Sequence, residues 1–255
     1  MKLDVEILIT EDCPHARLAI EMTREVLANL APMVSPSVIT VAHREEAMEL
    51  SFPGSPTVRV NGVDLEGAIA APPALACRRY GSDGVPPTWL IEAAVLRALA
   101  PRHFLFLCVA NSARSQMAEG IGRSLAPEGV KVSSAGSQPT KIRPEAVRVL
   151  EEIGIDPKSQ QSKGMEDVEE GVDAVVTLCA EEVCPAWLGQ ASRVHWGLPD
   201  PAAVQGSEEE RLQAFREVRD ELGRRLAILF HRRTPWINPN ELPSTPPTAS
   251  SPELR

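Results

Sequence analysis

The segment richest in chemistry is Cys108-Val109-Ala110-Asn111-Ser112-Ala113-Arg114-Ser115, where five residues separate a thiol from a guanidinium. An apolar run precedes it and a helical pattern follows. A loop running into a helix amino terminus can turn several backbone N–H groups toward one point, and the helix dipole adds to their field. Such a point suits a tetrahedral oxyanion, with Arg114 as a two-pronged clamp. The same field favours the thiolate of Cys108, the nucleophilic form. Ser115 can donate to that thiolate, and Asn111 tolerates the dihedrals of a tight turn. Asp200 lies between Pro199 and Pro201. A carboxylic acid held there suits protonation of a leaving oxygen, although an Asp-Pro pair alone also reads as a plain turn. Cys179 and Cys184, close in sequence, can exchange a disulfide locally. Two other readings stay open for them: zinc binding, with His195 as third ligand and no obvious fourth, or inert core thiols.

These residues need a frame, and the apolar pattern supplies one. Phe104–Val109 reads as a strand, followed by a helix from Ser115, a strand near Lys131–Ser134 and a helix over Pro144–Ile153. A strand at Ala174–Leu178 and a long amphipathic helix from Glu208 to Phe230 complete this part, with Trp196-Gly197-Leu198 and Asp200 in a loop between them. Short apolar strands alternating with helices predict an α/β domain, a parallel sheet with helices on both faces. Upstream, Val5–Thr10 reads as a strand and Asp12-Cys13-Pro14 as the start of a helix to Leu30, with Asp12 as its cap. A strand at Ser37–Val41, a short helix at Glu45–Leu50, a strand at Thr57–Val60 ending in an Asn61-Gly62 hairpin, and a helix at Thr88–Ala100 follow. That order predicts α+β packing on a mixed sheet. Pro101 marks the boundary, giving domains at 1–101 and 102–233. Residues 234–255 include six prolines among 22 residues and read as a disordered tail.

The 255 residues carry 26 Lys plus Arg against 35 Asp plus Glu, a net charge of −9, which argues against a nucleic-acid partner. No apolar run is long enough for a membrane helix. The acidic amino terminus lacks the basic start of a signal peptide. A cytoplasmic enzyme without membrane contact is the expectation. Five cysteines, an odd number at wide spacing, point to thiol chemistry rather than a disulfide framework.

The span from His103 to Arg233 resembles the thioredoxin-coupled arsenate reductases, which share the low-molecular-weight protein tyrosine phosphatase fold. The carrying residues are Cys108 to Gly120, Ser134-Ala135-Gly136, Val175 to Cys179, Cys184-Pro185 and His195 to Pro201. The resemblance implies a relay of three thiols. Cys108 attacks arsenate while Asp200 protonates the departing oxygen. Cys179 then attacks Cys108 and expels arsenite, and Cys184 takes over to leave a Cys179–Cys184 disulfide for thioredoxin or a similar thiol reductant. Phosphate and sulfate would mimic the substrate. Two alternatives remain, a low-molecular-weight tyrosine phosphatase and a non-catalytic oxyanion or metalloid sensor. Phosphatases of this fold carry an aromatic residue after Asp-Pro; here Ala202-Ala203 follows.

The resemblance implies no tightly bound cofactor. Some members hold potassium beside the loop. Asn111, Glu119 and Ser134 match that set, but Ser162-Lys163 stands near the expected acid, so a lysine ammonium takes the cation's place. Residues 1–101 resemble a thioredoxin-like domain through Cys13-Pro14-His15-Ala16 and Ser55-Pro56, where the fold places a cis-proline. Ala16 replaces the second motif cysteine. Cys13 and Cys77 are therefore candidate accessory redox residues, and built-in reductant, metalloid module and scaffold all stay open.

Overall fold

The computed structural model describes residues 3–67, 72–180 and 185–230. The amino-terminal half contains β1 (Val5–Ile9), α1 (Ala16–Leu30), β2 (Ser37–Thr40), α2 (Arg44–Glu49), β3 (Thr57–Val60), β4 (Val63–Asp64) and α3 (Thr88–Leu99). Its sheet has the order β2-β1-β3-β4, with β1 parallel to β2 and antiparallel to β3, so it is mixed as expected. The β3–β4 hairpin turns at Asn61 and Gly62, both in the left-handed region at φ 51° and 76°. Those two residue types take that conformation cheaply. The Ser55–Pro56 peptide is cis, and Cys77 pairs with Ser55 through an isolated bridge.

One expectation here is corrected. The first helix begins at Ala16, with His15 in the cap position and no side-chain cap, so neither Asp12 nor Cys13 belongs to it. The backbone before it is used up in two tight turns, Cys13 N–H donating to the Thr10 carbonyl and Ala16 N–H to the Cys13 carbonyl, each at 3.2 Å.

The second half contains β5 (His103–Cys108), α4 (Arg114–Leu125), β6 (Lys131–Gly136), α5 (Pro144–Glu151), β7 (Ala174–Cys179), β8 (Ser192–Leu198) and α6 (Glu208–Leu229). The four strands run parallel in the order β6-β5-β7-β8. Every residue of β5 is buried, as a central strand covered on both faces requires. Phe104 and Phe106 join the cluster beneath α4, α5 and α6. Leu105 and Leu107 face the other way, toward Val172 and Val175, under Met165 of a short 3-10 turn and Trp187. Strand β8 is the second correction: Trp196, Gly197 and Leu198 lie within it rather than in a loop. As an edge strand it alternates buried Val194, Trp196 and Leu198 with less buried Arg193, His195 and Gly197. A single polar-rich alternation does not stand out as a core strand. The helix α6 is set by its first turn, where Ser207 and Glu210 form a reciprocal capping box. Among the described residues, no helix is long and apolar enough to cross a membrane.

The two halves share one apolar cluster that runs from Val5 to Phe230. Helix α3 makes the join. Its residues from Leu90 to Leu96 are all buried, the signature of a helix enclosed on every side. It ends at Ala100, whose φ of 53° and following Pro101 both stop the helix. Across the join Arg97 donates to the Ile228 carbonyl (2.9 Å), and Asn29 of α1 donates to the Arg193 carbonyl (2.8 Å). Trp89 meets Trp196 edge to face, at 6.5 Å between ring centroids. Trp196, 1% exposed, donates from Nε1 to Oε2 of Glu92 at 3.1 Å.

Burial pushes the Glu92 carboxyl up to about 7, against the pull of that hydrogen bond and of the Arg225 charge. The sign of the linkage follows. Below 4.5, the group's ordinary value, both folded and unfolded chains are neutral. Between there and about 7 the unfolded chain alone ionises, so stability falls as pH rises, by on the order of 3 kcal/mol at most. Glu92→Gln, neutral at every pH, is expected to approach wild type in Tm at about pH 5 and to exceed it by several degrees at about pH 8. Calorimetry across that range checks this; a difference independent of pH would contradict it.

Candidate active site

Parallel α/β sheets bind ligands beyond the carboxyl ends of their strands, and here that end is built around Asn111. This residue is fully buried in the left-handed region at φ 44°. Its amide Nδ2 donates to Ser115 Oγ and to Ser134 Oγ, each at 2.8 Å. Its Oδ1 accepts from the backbone of Lys163 (2.9 Å) and from Gln116 Nε2 (3.0 Å). One side chain thereby ties the loop to α4, β6 and the 160s segment. Asparagine bears a left-handed φ better than other side chains, and all four hydrogen bonds are made.

The loop's outer face is laced down. The carbonyls of Val109, Ala110 and Ser112 accept from the backbone N–H groups of Gln138, Thr140 and Arg143 at 2.9–3.0 Å. Gly136 lies directly beneath: a Cβ there would stand 2.4 Å from the Val109 carbonyl oxygen and 2.8 Å from Asn111 N. Only glycine permits that approach.

Cys108 closes β5, 3% exposed, with its sulfur 3.0 Å from Ser115 Oγ. Since Asn111 donates to that hydroxyl, the Ser115 proton can turn to the sulfur. Arg114 is 3% exposed. Its Nη1 donates to the Leu198 carbonyl (3.0 Å), and its Nη2 lies 3.5 Å from Oδ1 of Asp200. Asp200 also accepts from Ala202 N–H at 3.3 Å, capping a 3-10 turn that begins at Pro201. The structure therefore brings Cys108, Arg114, Ser115 and Asp200 into one site. Cys179 closes β7, the neighbour of β5, and is 1% exposed. In that ladder Leu107 is opposite Thr177, so both thiols lie at the carboxyl end of the same sheet. Cys184 lies outside the described residues, as do residues 234–255. Cys108, Cys179, Cys13 and Cys77 are all thiols. Cys13 and Cys77 belong to the amino-terminal half, half-buried and exposed respectively.

Glu119 is fully buried behind the loop and accepts from Ser134 Oγ at 2.5 Å. Arg123 Nη2 reaches it at 2.5 Å and Lys163 Nζ at 3.7 Å. The oxygens of Asn111, Ser134 and Glu119 are thus already engaged, and two cationic side chains stand on Glu119. This donor set does not fit a potassium ion. Among the described residues no group of three His, Cys, Asp or Glu side chains could hold a metal. Arg123, the hydrogen bonds of Gln116 and the steric role of Gly136 were not legible in the sequence. Their partners are distant in the chain or sit one turn along α4, and only the folded loop shows them to be supports.

Residues 103–234 match the family described as low molecular weight phosphotyrosine protein phosphatase. A Halalkalibacterium halodurans protein named arsenate reductase is 46% identical over 124 residues, 48% of this chain and 89% of that protein. Proteins of the same name from Bacillus subtilis and Shouchella clausii are 45% and 44% identical over equal spans and shares.

Gly136→Ala is expected to displace Val109 and Asn111 and to weaken phosphate binding about tenfold or more, equivalent to ~1.4 kcal/mol. Calorimetric titration with phosphate reads this directly. Undiminished affinity would mean the loop does not depend on that close approach.

Proposed function

Because this chain belongs to the low molecular weight phosphotyrosine protein phosphatase family, and its curated relatives at 40–46% identity are named arsenate reductases, we propose that it reduces arsenate to arsenite. The observation that carries this reading is the pair of buried thiols, Cys108 and Cys179, ending adjacent parallel strands beside Arg114 and Asp200. A hydrolase needs one of those thiols; a two-electron reduction needs both.

The Cys108 thiolate, held by the Ser115 hydroxyl, attacks arsenic(V) while Arg114 and the loop's N–H groups bind the arsenate oxygens. Asp200 gives its proton to the oxygen that leaves as water. Cys179 then attacks the Cys108 sulfur. The S–As bond breaks, its electron pair stays on arsenic as arsenite departs, and a Cys108–Cys179 disulfide holds the two oxidised sulfurs. Attack by Cys184 on Cys179 frees Cys108 and moves the disulfide to Cys179–Cys184. An external dithiol protein of the thioredoxin kind returns both electrons. Such cycling suits a reducing compartment such as the cytoplasm. Ala202 and Ala203 supply no aromatic wall for a tyrosyl phosphate, which weighs against the phosphatase alternative. Residues 1–101 and 102–233 serve as a thioredoxin-like unit and a reductase unit in this reading.

With thioredoxin, thioredoxin reductase and NADPH, wild type is expected to turn over arsenate steadily, while Cys184→Ser stops after about one turnover. Hydrolysis of p-nitrophenyl phosphate, which uses only the first thiol, should persist in that variant. Ester hydrolysis without arsenate turnover in wild type would make the protein a phosphatase.

The charge of Arg123 and Lys163 on Glu119 does the work of a bound cation. Replacing potassium by tetramethylammonium at constant ionic strength is expected to leave kcat/KM for arsenate unchanged within about twofold. Activation by potassium of tenfold or more would contradict that.

A further inference from the structure

The matched segment begins at residue 103, yet a side chain from before it reaches the strand that leads into the catalytic acid, two residues past its end. Trp196 lies two residues before Leu198, whose carbonyl holds Arg114, and four before Asp200. The indole is buried and gripped from several sides. Glu92 accepts its N–H at 3.1 Å, Trp89 lies against its edge, and Arg225 Nη1 donates to the Trp196 carbonyl at 3.4 Å. Arg225 also stands 5.1 Å over the Trp89 ring, so α3 and α6 hold the tryptophan together. Strand β8 is the outermost strand of its sheet, hydrogen-bonded to β7 on one side only. What fixes its other side is the amino-terminal half.

We propose that Glu92 is a positioning residue for the reaction: by holding Trp196 it sets where the Leu198 carbonyl and the Asp200 carboxyl stand relative to Arg114 and the substrate. This rests on the reading of Asp200 as the proton donor. A rigid strand transmits displacement along its length, at about 3.3 Å per residue. An active-site carboxyl misplaced by about 1 Å loses much of its effect. The half of the chain outside the matched segment thereby belongs to the catalytic machinery.

The surroundings of Glu92 give the arrangement a pH dependence. Arg225 faces it from α6, and Arg193 and His195 of β8 share with it a cavity of about 330 Å³ that Asn29 of α1 also lines. Arg59, the charged residue of β3, is turned away to the Leu50 and Ser51 carbonyls. Burial holds the Glu92 carboxyl at about 7, so it changes charge across the neutral range, and its charged form accepts the indole N–H more strongly. The grip on Trp196 tightens as pH rises through that value.

The test uses the full chain and two esters that differ in their need for protonation. Phenyl phosphate has a poor leaving group and depends on Asp200; p-nitrophenyl phosphate depends on it less. For Glu92→Gln at about pH 8, kcat/KM is expected to fall about fivefold or more with phenyl phosphate and less than about twofold with p-nitrophenyl phosphate. Phosphate inhibition should stay within about twofold of wild type. The wild-type profile should show a rise near pH 7 that Glu92→Gln lacks and His195→Gln keeps. Equal losses with both esters, or an unchanged profile, would reduce Glu92 to a structural contact and overturn the proposal. Arsenate turnover measured in parallel separates the two readings: its absence, with the ester pattern intact, would sink the reductase and leave the role of Glu92 standing. If wild type cleaves neither ester, the proposal for Glu92 falls, while arsenate turnover alone decides the reductase reading.

Discussion

An anion site made from backbone requires a loop whose carbonyls are occupied elsewhere, and that constraint governs this structure. Asn111 meets it by taking a left-handed φ of 44° inside the protein, with a side chain that makes every hydrogen bond available to it. A buried amide left half-satisfied would cost more than it contributes. Its partners are therefore as constrained as Asn111 itself. Ser115 must be on the first turn of α4, Ser134 on β6 and Lys163 at a backbone N–H within reach. Gly136 must carry no side chain. Helix α4 accordingly buries Ser115, Gln116 and Glu119 where an ordinary amphipathic helix would bury apolar groups.

The second dependence runs through α3. A parallel sheet ends in an edge strand whose outer backbone and side chains need cover. Here Asn29, Trp89 and Glu92 provide it to β8 from the amino-terminal half. A single apolar cluster spanning both sheets follows from burying α3 on all sides. The cost is a carboxyl buried beside an indole, and a group so placed is seldom neutral in its effects on its surroundings.

What could be read from sequence was local. Cys108 to Ser115, the glycine-bearing hairpin at Asn61-Gly62 and the amphipathic repeat of α6 each declare themselves within short windows, because their physics is short-range. Strand positions in β5 and β7 followed from nearly continuous apolar runs. The misread pieces had competing local signals. Pro14 suits a first helical turn, but the turns at Thr10–Cys13 and Cys13–Ala16 came first. The alternation in β8 looked like a loop because its outward residues are polar. Beyond reach were the contacts between distant segments, such as Lys163 N–H on Asn111 and Glu92 on Trp196, separated by 52 and 104 positions. No spacing rule connects residues that far apart.

The burial of the two strand-end thiols also bears on why the proposed relay uses three cysteines. Cys108 and Cys179 are 3% and 1% exposed. Seclusion serves the first step, since a dry loop strengthens every contact to the arsenate oxygens. It obstructs the last, since a partner protein's thiolate must approach a disulfide sulfur along the S–S axis and cannot do so through a packed sheet edge. A disulfide formed between Cys108 and Cys179 would be correct chemically and stranded physically. Cys184 lies five positions beyond Cys179 in the sequence. Five residues reach at most about 17 Å, which would let the proposed relay bring an oxidised sulfur out from the end of the strand. In the proposed relay the third thiol answers a problem of access: the better the loop excludes water from arsenate, the more the relay needs a carrier to bring electrons in.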